Sequence, residues 1–450
     1  MNAGLGWGGI VRLGLVQTAL GAIVVLTTSV MNRVMVVEYA LPAMLPGLLV
    51  AFKDVLQLSR PRVGFGSDIG GRRTPWITGG MAVLALGGIT AALGTAIMGT
   101  ERGTGIAVAV LGFLMIGLGV GAAGTTLLVL LARLVDDARR PAAASIVWMM
   151  MIAGFAITAG VAGHFLDPYS PRRLVLVASV VSVLAMIVTM LALHGVEPVD
   201  GGRREALPVS REKPRFGEAL AEVWREPKAR RFTVFVLVSM LAYSAQDLIL
   251  EPFAGRVFGM TPGQSTQLSG AQHGGVLLGM LLVALSGSLL KGARGIALRT
   301  WTVGGCLGSA VALLAISIGA GLAPAWPLRL NVFLLGFFNG VFAVAAIASM
   351  MALASEGRAG RDGLRMGLWG AAQAIAMGLG VFLGTVAVDF ASHLFSVPEK
   401  AYGTVFALEG LMFLLAAALG RAATASAPGD PERGMPRFGK VAMVDVFEGR

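Results

Sequence analysis

The sequence predicts an all-α membrane protein, with twelve transmembrane helices in two six-helix bundles. Three observations lead there. Of the 450 residues, 56% are hydrophobic and only 14% charged, which is more apolar surface than one water-soluble core can hide. The apolar residues gather in runs of about 18 or more, the length at which a helix crosses lipid with its backbone amides paired internally. These runs lack the two-residue alternation of a membrane barrel, and the longest polar stretch between them, 195–231, parts them six and six.

Run length and periodicity place the first six spans at Leu13–Met31, Val34–Leu58, Pro75–Met98, Ile106–Leu131, Ala142–Leu166 and Leu174–Leu193. The second six fall at Phe232–Leu250, Leu268–Leu290, Ala297–Leu322, Leu328–Ala354, Leu364–Val388 and Tyr402–Gly420. An even number of spans puts both termini on one side. Lys and Arg number 28 on that side and 7 on the other, and Lys53, inside the second span, completes the 36. The bias predicts that both termini are cytoplasmic. It also accounts for the net charge of +11, since these cations are scattered between apolar runs and form no nucleic-acid-binding face.

The predicted organisation is a first bundle over 1–194, a cytoplasmic linker over 195–231, a second bundle over 232–420 and a cytoplasmic tail over 421–450. Within the linker, Phe216, Leu220, Val223 and Trp224 share one helical face, followed by Arg225, Lys228, Arg230 and Arg231. That pattern suits either an amphipathic helix on the inner membrane surface or a solvated connector. Cys306 is the sole cysteine, so neither a disulfide nor a cysteine metal site is available. Arg12 leads straight into a run long enough to stay as a helix, so no cleaved leader is expected.

Between the second and third spans lies Gly64–Thr74, G-F-G-S-D-I-G-G-R-R-T. Its glycines permit a turn too tight for side chains. Asp68 can accept hydrogen bonds or face a helix N-terminus, and Arg72 and Arg73 anchor the inner face. Gly64, Asp68, Gly71, Arg72 and Arg73 fit the signature turn of the major facilitator superfamily, with Ile69 where a cation is usual, so the chain resembles that superfamily. By this resemblance Asp68 would meet the start of the eleventh helix near Leu364, with Arg133, Asp136 or Asp137 nearby, as a conformational latch. The alternative is a tight basic loop that only fixes topology. The matching loop of the second half, from Lys291 to Gly295, lacks the aspartate, so any such latch is one-sided.

A closer resemblance covers nearly the whole chain. The stretches Arg12–Glu38, G-S-D-I-G-G-R-R-T-P-W and Ala245–Thr261 are similar to the PucC/LhaA family of purple phototrophic bacteria. The resemblance implies assembly of light-harvesting complexes, with bacteriochlorophyll handled as cargo. The partners it implies are the antenna alpha and beta polypeptides, the reaction centre core, bacteriochlorophyll synthase and the insertion machinery. It implies no enzyme, and the sequence carries no serine–histidine–acid arrangement, phosphate loop or aspartate-rich diphosphate motif.

Polar groups within spans are costly and point to function by default. Gln246, Asp247 and Glu251 on the seventh span, the latter two at i, i+4, and Gln272 and His273 at the start of the eighth, predict one polar pocket near the outer leaflet. A chlorophyll magnesium takes one axial ligand, a role that suits His273 or Gln272 as well as a plain interfacial hydrogen bond does. His164, His194 and His393, at helix ends or in loops, are weaker candidates. Asn32, Arg33 and Glu38 flank the first outer turn, where Arg33 and Glu38 can pair as a clamp. Lys53 and Asp54 are adjacent charges that do not share one face; they act either as a relay or as snorkelling groups near the inner end. Gly117, Gly121, Gly275, Gly279, Gly380 and Gly384 form small-residue pairs at helix-packing spacing, for internal packing or for receiving single-helix subunits.

Overall fold

A computed structural model describes residues 5–56, 72–136, 139–197, 224–289, 298–355 and 362–423. Among these residues the regular elements are all helical. The first half holds α1 (Trp7–Leu26), α2 (Met44–Val55), α3 (Thr74–Ile97), α4 (Arg102–Leu134), α5 (Arg140–Leu166) and α6 (Pro171–Leu193). The second holds α7 (Pro227–Ala245), α8 (Leu250–Phe258), α9 (Pro262–Leu289), α10 (Leu298–Ala320), α11 (Leu328–Ser355), α12 (Asp362–Leu394) and α13 (Pro398–Ala423). Ten helices are long and apolar enough to span a membrane, and α7 with α8 makes an eleventh, bent by 45°. With α2 these are the twelve predicted spans, and the chain is a multi-pass membrane protein.

Each half has its own core. One runs through Leu13, Met81, Phe113 and Leu174, the other through Phe235, Phe342, Phe406 and Phe413. The outward faces are apolar too, with Leu176, Leu184 and Leu191 exposed along α6, as lipid requires. The halves meet along two helix pairs, α5 with α9 and α2 with α12. Small residues let the first pair close: a Cβ on Gly270 would stand 2.8 Å from the Gly160 nitrogen, and one on Gly163 2.7 Å from the Gly263 carbonyl. Ile152, Val276 and Met280, with Met149 and Met151 against them, fill the remainder of this seam.

The glycine pairs pack inside the protein. Gly275 and Gly279 of α9 lie on the Phe333 and Phe337 carbonyls of α11, and Gly336 and Gly340 of α11 lie in turn on the Gln272 and Val276 carbonyls. Gly380 and Gly384 take the backbone of α7, and Gly117 that of α2 at Lys53.

Several predicted boundaries are corrected, among them the start of the second span, which is Met44 in place of Val34. The first helix does not end at Met31: it continues from α1 through wide turns at Thr27–Met31 and Val34–Glu38 that bond i to i+5. Asn32, Arg33 and Glu38 therefore belong to the end of the first span, where partners inside the protein take the Asn32 Nδ2, the two Arg33 Nη groups and Glu38 Oε1. The eighth span begins at Pro262, not Leu268, which places Gln272 and His273 about three turns inside it.

Candidate functional site

The two chain ends of the bundles lie on one face, here called terminal; the opposite face is distal. On the distal face the halves are joined by bonds that come in exchanged pairs. The i-to-i+5 winding brings Arg33 and Glu38, five residues apart, onto one side, where Arg33 Nη1 sits 2.5 Å from Glu38 Oε1. Arg33 Nη2 crosses the seam and donates to the Met260 carbonyl at 2.6 Å, over Gly255, which leaves it room. Arg256 of α8 returns the bond, donating to the Val36 carbonyl at 2.7 Å.

The same exchange recurs at two helix N-termini, whose first amides have no partner in their own helix. Asp389, near the end of α12, accepts from the Ala43 and Met44 amides at the start of α2, at 2.9 and 2.7 Å. Asp167, just past α5, accepts from the Gly263 amide at 3.1 Å and the Thr261 hydroxyl at 2.7 Å, at the start of α9. Anions are favoured there by the helix dipole. Fifth span therefore caps eighth, and eleventh caps second. Asn32 Nδ2 adds a bond to the Leu248 carbonyl at 2.7 Å.

The terminal face holds the remains of the predicted latch. Gly64, Asp68 and Gly71 lie outside the described residues. Arg72 is exposed and Arg73 buried, and the Arg73 and Thr74 amides at the start of α3 donate to Glu197 at 2.9–3.0 Å, with the Thr74 hydroxyl at 2.8 Å. Partial burial works against the charged form of Glu197, but these donors outweigh it and hold its carboxyl below the usual range. Nearby, Arg12 bonds the last carbonyls of α6, at Ala192 and His194.

The predicted single pocket on the seventh and eighth spans is not what forms. The helix breaks into a 3₁₀ turn at Gln246–Leu248 before α8 begins, so Asp247 and Glu251 leave their common face. Glu251, buried, lies against Ser265 at 3.4 Å and near Ser29, Ser269 and Arg33. Gln246 turns back to the Tyr243 carbonyl. Asp247 lies within electrostatic reach of Lys53 and Asp54 of the other half. Those two adjacent residues pair with each other at 3.3 Å, Lys53 nearly fully buried, in place of the opposed faces expected. Gln272 packs under Gly336. His273 Nδ1 bonds the Ser269 carbonyl at 2.8 Å, and Phe155 of α5 meets its ring edge-on at 5.1 Å.

Sequence reasoning missed Asp167, Asp389, Arg256 and Glu409. Glu409 sits in the apolar run of α13, buried, with neither carboxylate oxygen hydrogen-bonded. A charge inside an apolar run was the signal available for it.

The fold is that of solved transporters: the structure of a bacterial homolog of the human lysosomal transporter Spinster, inward-facing and unoccupied, superposes with a TM-score of 0.65 at 16% identity, over 92% of this chain and 96% of that one. Among curated proteins, the "Bacteriochlorophyll synthase 44.5 kDa chain" of Rhodobacter capsulatus is 52% identical over 92% of this chain and 94% of its own length. "Protein PucC" of the same organism is 30% identical over 91% and 90%. The profile of the family described as "PUCC protein" matches residues 30–426. The chain belongs to the PucC family and has a major-facilitator-like fold.

Proposed function

We propose that this protein is an assembly factor for light-harvesting antenna complexes in the photosynthetic inner membrane of a purple phototrophic bacterium. It shelters bacteriochlorophyll, or the antenna polypeptides that receive it, until the complex forms, and it catalyses no reaction. The observation that supports this most is the likeness, over nearly the full length of both chains, to a relative named for bacteriochlorophyll synthesis. The reading puts both termini in the cytoplasm and the distal clasp outside. The reaction centre core, bacteriochlorophyll synthase and the insertion machinery are its further partners.

His273 fits an axial ligand for the pigment's magnesium. A carbonyl only accepts, so Nδ1, bonded to Ser269, carries the proton, and the neutral ring keeps a lone pair on Nε2. Phe155 and Met149 supply apolar wall on the same seam. The test is deletion of the gene, followed by membrane spectra and by mild-detergent purification of the wild type. Loss of antenna absorbance, with chlorin and antenna polypeptides co-purifying, is expected; normal absorbance in the deletion strain overturns the reading.

A second reading, secondary transport of a small solute or tetrapyrrole precursor, draws on the fold shared with solved transporters and on the pair that buried Lys53 makes with Asp54. Gradient-driven uptake into vesicles that disappears in Asp54→Asn would put it first.

A further inference from the structure

α7 starts at the terminal face and α13 ends there, packed side by side. At the start of α7, Ala229 and Phe232 turn inward. The Ala229 carbonyl takes the Trp369 indole N–H at 3.5 Å, and Phe232 meets the Trp369 ring at 4.8 Å. That fixes the rotation of the helix and leaves Arg230 and Arg231 exposed, with Trp224 and Arg225 exposed just before them. α13 brings a further arginine to the same edge. Gly420 lies on Phe235, one turn inside Arg231, where a Cβ would stand 3.0 Å from the ring, and Arg421 follows it, exposed.

Other arginines of this face hold the protein together: Arg12 bonds the end of α6, Arg140 bonds the Val135 carbonyl, and Arg139 lies over the Trp7 ring. Arg225, Arg230, Arg231 and Arg421 make no side-chain hydrogen bond or ion pair among the described residues. Next to them the surface turns apolar in register. Val234 and Leu237 follow Arg230 at i+4 and i+7 on α7, and Ala418 and Leu414 precede Arg421 at i−3 and i−7 on α13, all exposed. Two neighbouring helices thus each carry an apolar stripe that ends in a cation where the helix leaves the hydrocarbon. The exposed indole of Trp224 stands at the level that tryptophan favours, the membrane interface. This is the outline of one diacyl phospholipid. Its phosphate matches the guanidinium forks in charge and geometry, and its two chains match the two stripes.

We propose that the terminal edge of α7 and α13 docks an anionic phospholipid of the adjoining leaflet. The phosphate sits on Arg230, Arg231 and Arg421, the glycerol region lies against Trp224, and the acyl chains run along Val234, Leu237 and Leu414. Arg225 adds to the field that draws the headgroup in. This goes beyond the assembly reading and does not depend on it.

The test uses the purified full-length chain in neutral detergent, titrated with dioleoylphosphatidylglycerol, dioleoylphosphatidylcholine or glycerol 3-phosphate, and follows melting by tryptophan fluorescence. Phosphatidylglycerol is expected to raise the melting temperature, whereas the other two, at the same concentrations, do not. Arg230→Gln with Arg231→Gln is expected to raise the half-effect concentration about tenfold or more, the loss of one charge-assisted bond. Arg102→Gln with Arg172→Gln, the same loss of charge at exposed positions of the distal face, is expected to leave it unchanged. Should the first pair not fold, Arg421→Gln, expected to weaken the effect in the same sense, decides in its place. No shift with phosphatidylglycerol, or an equal shift with phosphatidylcholine, overturns the proposal. An equal shift with glycerol 3-phosphate overturns it in favour of a free phosphate, and equal weakening by the two pairs overturns it in favour of bulk charge.

Discussion

Arg33 and Arg256 trade places across the seam between the halves, each giving a hydrogen bond to a backbone carbonyl of the other's neighbourhood, Met260 and Val36. Both sit at the distal end of the first span of their half, each followed by valine, and each closes the same gap from the opposite side. Because Arg33 also holds Glu38, the two-sided bond is predicted to keep the distal face shut. The pair couples through a charge-assisted bond, so a double-mutant cycle of Arg33→Gln and Glu38→Gln, read by thermal or chemical unfolding in detergent, is expected to return a coupling of about 1 kcal/mol or more. Independent effects of the two substitutions would show that the clamp has no energetic weight.

The carboxylates at Asp167 and Asp389 are predicted to act together on that face. Each caps a helix start belonging to the other half, and losing such a cap costs about 0.5–2 kcal/mol. The sites do not share partners, so the stability losses in Asp167→Ala and Asp389→Ala are expected to add. Opening is expected to be more than additive, because either cap alone still ties the halves. A cysteine placed at Gln267, beside Gly163 on the α5–α9 seam, in a Cys306→Ala background, reports this. Maleimide labelling from the distal side should quicken modestly in each single variant and strongly in the double.

On the terminal face, Glu197 links the end of α6 to the start of α3. Its carboxyl is held below the ordinary range by the Arg73 and Thr74 amides and the Thr74 hydroxyl, against the pull of partial burial. A depressed folded-state value means that the contact adds stability above the ordinary carboxylate range and loses it as pH falls through the lowered value. Unfolding midpoints of the wild type are therefore expected to fall on acidification below pH of about 4.5, the ordinary carboxylate value, by more than those of Glu197→Gln. Parallel curves for the two proteins would remove Glu197 from the account.

How much of this was legible follows from the range of the interactions. The spans could be read because lipid imposes a length on each apolar run, and Leu328–Ala354 falls within one residue of its observed helix α11. The end of the first span could not: Arg33 looks like a loop charge until Glu38 and the Met260 carbonyl, 227 positions on, are known to receive it. Asp167 and Asp389 carry no local sign of the helix starts they cap. Asp247 and Glu251 were placed together by i, i+4 spacing, and a three-residue 3₁₀ turn, invisible in composition, sends them to different partners. Glu409 was legible in principle as an acid inside an apolar run.

Glycine in the second half gives a prediction with a built-in control. A Cβ at Gly336 would stand 2.0 Å from the Gln272 carbonyl oxygen, with backbone and not a flexible side chain in its way, whereas one at the helical position Gly274 meets nothing within 4 Å. The close approach of α9 and α11 is thus set by backbone on backbone, and helices in a bilayer lack the hydrophobic drive that would tolerate a looser fit. Gly336→Ala is expected to cost about 1–3 kcal/mol, the penalty of forcing atoms into a filled interface, and to move Gln272 and His273 with the helix. Gly274→Ala is expected to be neutral or stabilising by up to about 1 kcal/mol, since alanine improves a helix interior where there is room. Melting of the two variants in one detergent checks the pair, and equal melting temperatures would mean that α9 and α11 can part without loss.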